Sequence, residues 1–182
     1  MNTISGKKKL IASIVGIAAA GLAGYAIAQA VVPPGPNKVQ FPTGWDKGVL
    51  YGNIDRPDVK QYREYYASAA TMKVASAGQP IPDGTVITMA IYSVKPDQSG
   101  SPAKDAGGRF VKDRLTAVFA MQKQGGFGAD IPEALRNGDW KYQAFTPDGA
   151  VNEKANLTAC YTCHLPFAKQ DFVTSMGKLS GK

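Results

Sequence analysis

Three stretches of the chain alternate apolar and polar side chains with a period of two, the spacing expected of β-strands. The first of them follows a Pro-Asp-Gly sequence at 82–84, which favours a tight turn. The alternation predicts strands over residues 85–94, 113–123 and 138–149. Upstream, residues 59–75 are predicted to be helical, with Pro57 in a first-turn position and Gly78 after the end.

The same alternation sorts side chains onto the two faces of each predicted strand. In the first strand, Met89 shares a face with Ile87 and Ile91, so a place in the core is its simplest interpretation. Trp140 and Tyr142 in the third strand are likewise predicted to pack in the core. One face of the second strand carries Leu115, Ala117, Phe119 and Met121.

The N-terminus carries an export signal. Lys7, Lys8 and Lys9 precede an uncharged, apolar run at 10–32, which places the N-terminus in the cytoplasm and the rest of the chain outside. The run is either a signal peptide or a retained helical membrane anchor, and its length, which reaches the roughly 20 residues that a bilayer requires, favours the anchor. Both interpretations place the remaining domain on the periplasmic side, anchored to the inner membrane or released after cleavage.

The length and the net charge of the chain indicate how many domains it has and which partners are expected. The chain of 182 residues divides into the leader 1–32, a Pro/Gly-rich linker 33–44 and one domain 45–182. The formal net charge is +7, but the leader contributes three of the lysines. No basic patch interleaved with aromatic residues is present, so nucleic acid is not expected as a partner.

The reactive side chains are concentrated near the C-terminus. Cys160, Cys163 and His164 are the only cysteines and the only histidine of the sequence. Two cysteines separated by two residues, with histidine directly after the second, have the spacing at which both thiols add to the vinyl groups of one haem and the imidazole ligates its iron. The motif predicts one covalent haem c, and the lack of a second histidine excludes bis-histidine ligation.

Three other interpretations of this motif agree less well with the sequence. A structural zinc site takes four ligands, usually with a second Cys or His pair, and the sequence has no such pair. A thioredoxin-like redox pair belongs near a βαβ pattern, which does not precede the motif. A chance match in a structural loop is the third, but free cysteines are uncommon in exported chains.

Several segments together resemble the cytochrome P-460 and cytochrome c′-beta superfamily. The matching segments read "FPTGW", "PDGTVI", "VFAMQK", "GDWKYQAF" and "CYTCH". The resemblance implies an α+β fold, mainly an antiparallel β-sheet with flanking helices and a C-terminal haem-attachment motif. It also implies a covalent haem and, in many members, a homodimer.

The chain departs from this superfamily at the position that carries catalysis. Members that oxidise hydroxylamine have a lysine, cross-linked to the haem, a few residues after the turn; Met89 occupies that position here. The resemblance also implies a distal carboxylate shortly before the haem motif, where Glu153 is the nearest acidic residue. Hydroxylamine oxidation, and with it an enzymatic role, is therefore disfavoured.

Two functions remain ahead of that one. If Met89 is a distal ligand, methionine opposite His164 favours electron transfer with a redox partner protein or a membrane oxidoreductase. Met121 is a second candidate for this ligand. If an aromatic ring such as Phe119 or Tyr92 caps an open sixth position instead, the protein binds nitric oxide or a similar gas. Electron transfer is the favoured prediction.

Overall fold

The computed structural model describes residues 30–33, 35 and 37–182. The leader predicted over residues 1–32, including the hydrophobic helix, falls almost wholly outside this part of the chain. Among the residues described, no helix has both the length and the apolar character needed to cross a bilayer.

The described part of the chain folds as one antiparallel sheet with short helices beside it. Its five strands lie in chain order, each paired with the next along the sequence. They are β1 (Val49–Arg56), β2 (Gln61–Ala67), β3 (Val86–Val94), β4 (Lys112–Lys123) and β5 (Trp140–Phe145). The helices are α1 (Ala69–Ser76), α2 (Leu157–His164) and α3 (Met176–Leu179). The predicted α+β class is confirmed.

The three strands predicted from period-two alternation are all present, as β3, β4 and β5. The turn before β3 also forms as predicted. Gly84 adopts φ 80°, in the left-handed region that residues with a side chain rarely occupy. Its amide donates to the carbonyl of Lys123 at 2.8 Å, which fixes the start of β3 against the end of β4.

The helix predicted over 59–75 is wrong for its first half, which forms β2. Tyrosine-rich sequence suits a strand, and β2 is enclosed between β1 and β3, so the ladder hydrogen bonds on both sides override the helical pattern. The helix proper is α1. It begins after Ser68, whose side-chain oxygen accepts a hydrogen bond from the amide of Thr71 at 3.0 Å.

The predicted shared face of β4 is wrong at Leu115. Tyr92 pairs with Leu115 whereas the preceding Ile91 pairs with Ala117, so one residue of β4 is skipped. This bulge turns Leu115 to the other face of the sheet, where it packs against a cluster that includes Val118 and Phe145.

The two faces of the sheet are covered differently. On one face, Val39 is buried beside Val118 and Phe145, and the ring of Phe41 meets that of Phe145 edge-on at 5.3 Å. The other face carries Met89 and Phe119 and is only partly covered, by α2 and the chain that follows it. We call this second face the cavity face, because a cavity lies against it.

Candidate functional site

A cavity of about 470 Å³ lies against the cavity face, with α2 and the following chain as its other boundary. A row of directly paired residues crosses its sheet wall: Tyr65 pairs with Met89, and Met89 pairs with Phe119. Because paired residues in adjacent strands share a face, these three side chains line the cavity together. The adjacent apolar lining of this wall includes Ile87, Ile91 and Met121.

Helix α2 supplies the reactive side chains. The helix begins after Asn156, whose side-chain oxygen accepts a hydrogen bond from the amide of Ala159 at 3.2 Å. Residues three and four positions apart lie on the same face of a helix, so Cys160, Cys163 and His164 are presented together. All three line the cavity.

The imidazole of His164 is held by a backbone carbonyl. Its Nδ1 lies 2.6 Å from the carbonyl oxygen of Phe172, and since a carbonyl only accepts, Nδ1 carries the hydrogen. Nε2 then keeps its lone pair in the neutral ring. Burial lowers the pKa of His164 below its ordinary value, which favours this neutral form. The ring of Tyr142 packs beside the imidazole with its centroid 4.7 Å away.

The two thiols have different environments. Neither is in a disulfide. Cys160 packs against the hydrophobic core, and burial raises the pKa of its thiol to about 11, so the group is protonated at neutral pH. Cys163 is exposed, and the cavity therefore reaches solvent at this end of the helix.

Comparison of the sequence with protein-family models identifies the family of this chain. Residues 42–175 match the model of Cytochrome P460. The chain belongs to the cytochrome P460 family. No curated protein matches it. Membership makes it a haem-binding protein, as the sequence predicted, and confirms the resemblance stated above.

The residues of this cytochrome P460 family member fit a haem. The cavity falls within the roughly 300–1,000 Å³ that is common for small-molecule and cofactor sites, and its lining is mainly apolar. One wall offers two free thiols and a neutral imidazole whose Nδ1 is already engaged. A metal-ligating histidine typically donates its second nitrogen's hydrogen to such a carbonyl. Cys160, Cys163 and His164 would therefore hold the group.

Other predicted site residues separate into two sets. The cavity of this cytochrome P460 family member is lined by Met89, Phe119 and Met121. These three residues belong to the sheet, whereas the two cysteines and His164 belong to α2. Tyr92, named as an alternative aromatic cap, does not: its ring lies on the other face of the sheet, 4.8 Å from the Lys112 ammonium. Glu153 is not among the lining residues.

Several cavity residues were not predicted from sequence. Arg63 and Tyr65 belong to β2, and their alternation with Glu64 would have placed them on one face had this segment been recognised as a strand. Arg63 donates to the side-chain oxygen of Gln61, and burial is the main cause that lowers the pKa of its guanidinium. Tyr142 was predicted only as a core residue, yet it contacts His164.

Proposed function

We propose that this member of the cytochrome P460 family is an exported monohaem c-type cytochrome that serves electron transfer. Cys160 and Cys163 attach the haem through two thioether bonds, and His164 is the proximal ligand. The observation that carries the proposal is that the only two cysteines and the only histidine of the chain line one cavity together. When bound, the haem supplies a one-electron redox centre.

Electron transfer is favoured by the position of Met89. Its strand lies in the middle of the sheet, and its side chain belongs to the same cavity lining as His164. A thioether as the sixth ligand raises the reduction potential and closes the iron to other ligands. The half-buried Phe119 beside it in the ladder restricts access of water to the same region.

Nitric oxide binding is the second candidate function, and the apolar side chains near Met89 favour it. On β3 and β4 the wall around Met89 is apolar, with Ile87, Ile91 and Met121 in the lining. If the thioether only packs here, these side chains form an apolar patch against which a diatomic gas can bind, while the guanidinium of Arg63 on β2 lines another part of the same cavity. Phe119 would then shape the space in which the gas binds.

Hydroxylamine oxidation receives no support from the cavity. Among the described residues that line it, none is lysine, aspartate or glutamate. The family cross-link needs a lysine, which Met89 replaces, and proton transfer from a substrate needs a base within hydrogen-bond reach. Turnover of hydroxylamine by the purified protein would overturn this part of the proposal.

The optical spectrum of the holoprotein tests the choice between the first two functions. We expect a low-spin, six-coordinate spectrum that becomes high-spin in Met89→Ala. This change is expected because Met89→Ala removes the thioether ligand and leaves the sixth coordination position open. The measurement is repeated in both oxidation states, before and after addition of nitric oxide.

Two methionine variants serve as controls for that measurement. Met72→Ala changes a side chain packed against the hydrophobic core and outside the cavity lining, so its spectrum should match the wild type. A high-spin change in Met121→Ala alone would assign the ligand to that residue. A high-spin wild type that takes up nitric oxide readily and is unaffected by Met89→Ala would make the protein a gas binder.

The proposal includes a location on the periplasmic side, with residues 10–32 as an anchor in the inner membrane. Its support is the three lysines followed by an uncharged apolar run. An anchor keeps the haem domain beside a membrane oxidoreductase, its proposed partner. We expect the full chain in the membrane fraction after an alkaline wash; a shortened, soluble form in the periplasm would show a cleaved signal peptide instead.

A further inference from the structure

The carbonyl that holds His164 belongs to a segment with an unfavourable backbone. Asp171 has φ 50° and Phe172 has φ 57°. Both lie in the left-handed region, which aspartate tolerates but which a bulky residue such as Phe172 rarely adopts. Two such residues in succession need support from the surrounding structure to persist.

The support comes from the paired ends of β4 and β5. Lys123 and Trp140 are directly opposite each other in the ladder. The ammonium of Lys123 lies 2.7 Å from Oδ2 of Asp171, and the indole Nε1 of Trp140 donates to Oδ1 at 3.2 Å. Both carboxylate oxygens are thus held by rigid sheet positions, and Trp140 is fully buried.

The next residue is held as well. The amide of Phe172 donates to the carbonyl of Phe167 at 2.8 Å. Its ring lies over Gly138, where a Cβ would come within 3.3 Å of the ring. With the side chain of Asp171 and the ring of Phe172 both fixed, the carbonyl of Phe172 has little freedom to move away from Nδ1 of His164.

We infer that Lys123, Asp171 and Trp140 are positioning residues for the proximal ligand. They hold the Phe172 carbonyl as a strong acceptor for His164, which orients the imidazole and increases the electron donation from Nε2 to the iron. The inference rests on the proposed function in one respect, that His164 ligates the haem. The ion pair at the end of the sheet thereby tunes a metal centre that it does not touch.

The test compares variants of the full-length holoprotein. Asp171→Asn keeps the side-chain size, and asparagine tolerates the left-handed region, but the ion pair with Lys123 is lost. We expect an upward shift of the reduction potential, because a looser carbonyl makes His164 a weaker donor. In the reduced protein, with Met89→Ala as background to free the sixth position, the iron–histidine stretching band should move to lower frequency.

Variants at Lys123 separate positioning from loss of stability. Lys123→Met should reproduce both shifts, and Lys123→Arg, which keeps the charge, should restore the wild-type values. Lys112→Met is the matched control on the same strand. It removes the 2.7 Å ion pair with the buried Glu64 but has no contact with the segment around Asp171, so it should leave potential and stretching band unchanged.

The outcomes distinguish failure of the positioning role from failure of the proposed function. If the wild type carries covalent haem and Asp171→Asn behaves like Lys112→Met, the positioning role is wrong and the proposed function stands. If the wild type carries no covalent haem on α2, the proposed function fails and the inference fails with it.

Discussion

Replacement of both Cys160 and Cys163 by serine is expected to abolish covalent haem attachment completely. Thioether bonds require sulfur, and the chain contains no other cysteine that could substitute. The change from thiol to hydroxyl is small and leaves α2 and its Asn156 cap in place, so the loss would reflect chemistry and not folding. Haem staining after denaturing electrophoresis, together with the intact mass, measures the bond directly.

The single variants and a neighbour on the same helix complete this experiment. Cys160→Ser or Cys163→Ser alone should each leave one thioether bond and shift the haemochrome absorption accordingly. Thr162 lies between the two cysteines, and among the residues that the structure describes its hydroxyl donates only to the carbonyl of Thr158 in the same helix, so Thr162→Ser should retain full attachment. Covalent haem in the double variant would contradict the assignment of the motif.

The parts of the fold that sequence predicted are those whose signals are local. β3, β4 and β5 have clear alternation and turn residues at their boundaries. β2 does not: its tyrosines and charged residues also suit a helix, and only pairing with β1 and β3 decides the outcome. β1 was not predicted, because it contains a glycine and is stabilised as a strand by its pairing with β2.

The same distinction applies to the site. The two cysteines and the histidine occupy about one turn of a helix, so their spacing alone predicted that Cys160, Cys163 and His164 act together, and the structure brings all three to one cavity. Alternation correctly placed Met89 on one face, and the ladder then brought Phe119 opposite to it. The contacts around His164 could not be predicted from the sequence. Tyr142 contacts the imidazole from β5, which is a tertiary contact. The carbonyl of Phe172 reaches it through a left-handed backbone conformation that a phenylalanine does not indicate.

Trp140→Ala is expected to lower the free energy of unfolding by about 3–5 kcal/mol, the range for removing a large buried aromatic side chain. Trp140 is fully buried within the main hydrophobic cluster. The substitution creates a cavity and also removes the indole donor from Asp171. Guanidinium denaturation of the holoprotein, followed by far-ultraviolet circular dichroism, measures the change.

The second tryptophan provides the comparison, and a third variant separates the two effects at Trp140. Trp45 is only partly buried and meets Tyr66 edge-on at 5.0 Å, so Trp45→Ala should cost about 1 kcal/mol. Equal losses for the two tryptophans would contradict the assigned core. Trp140→Phe fills most of the volume but cannot donate to Asp171. It should therefore recover most of the stability while still raising the reduction potential, since packing and the support of the proximal ligand act through different atoms of one side chain.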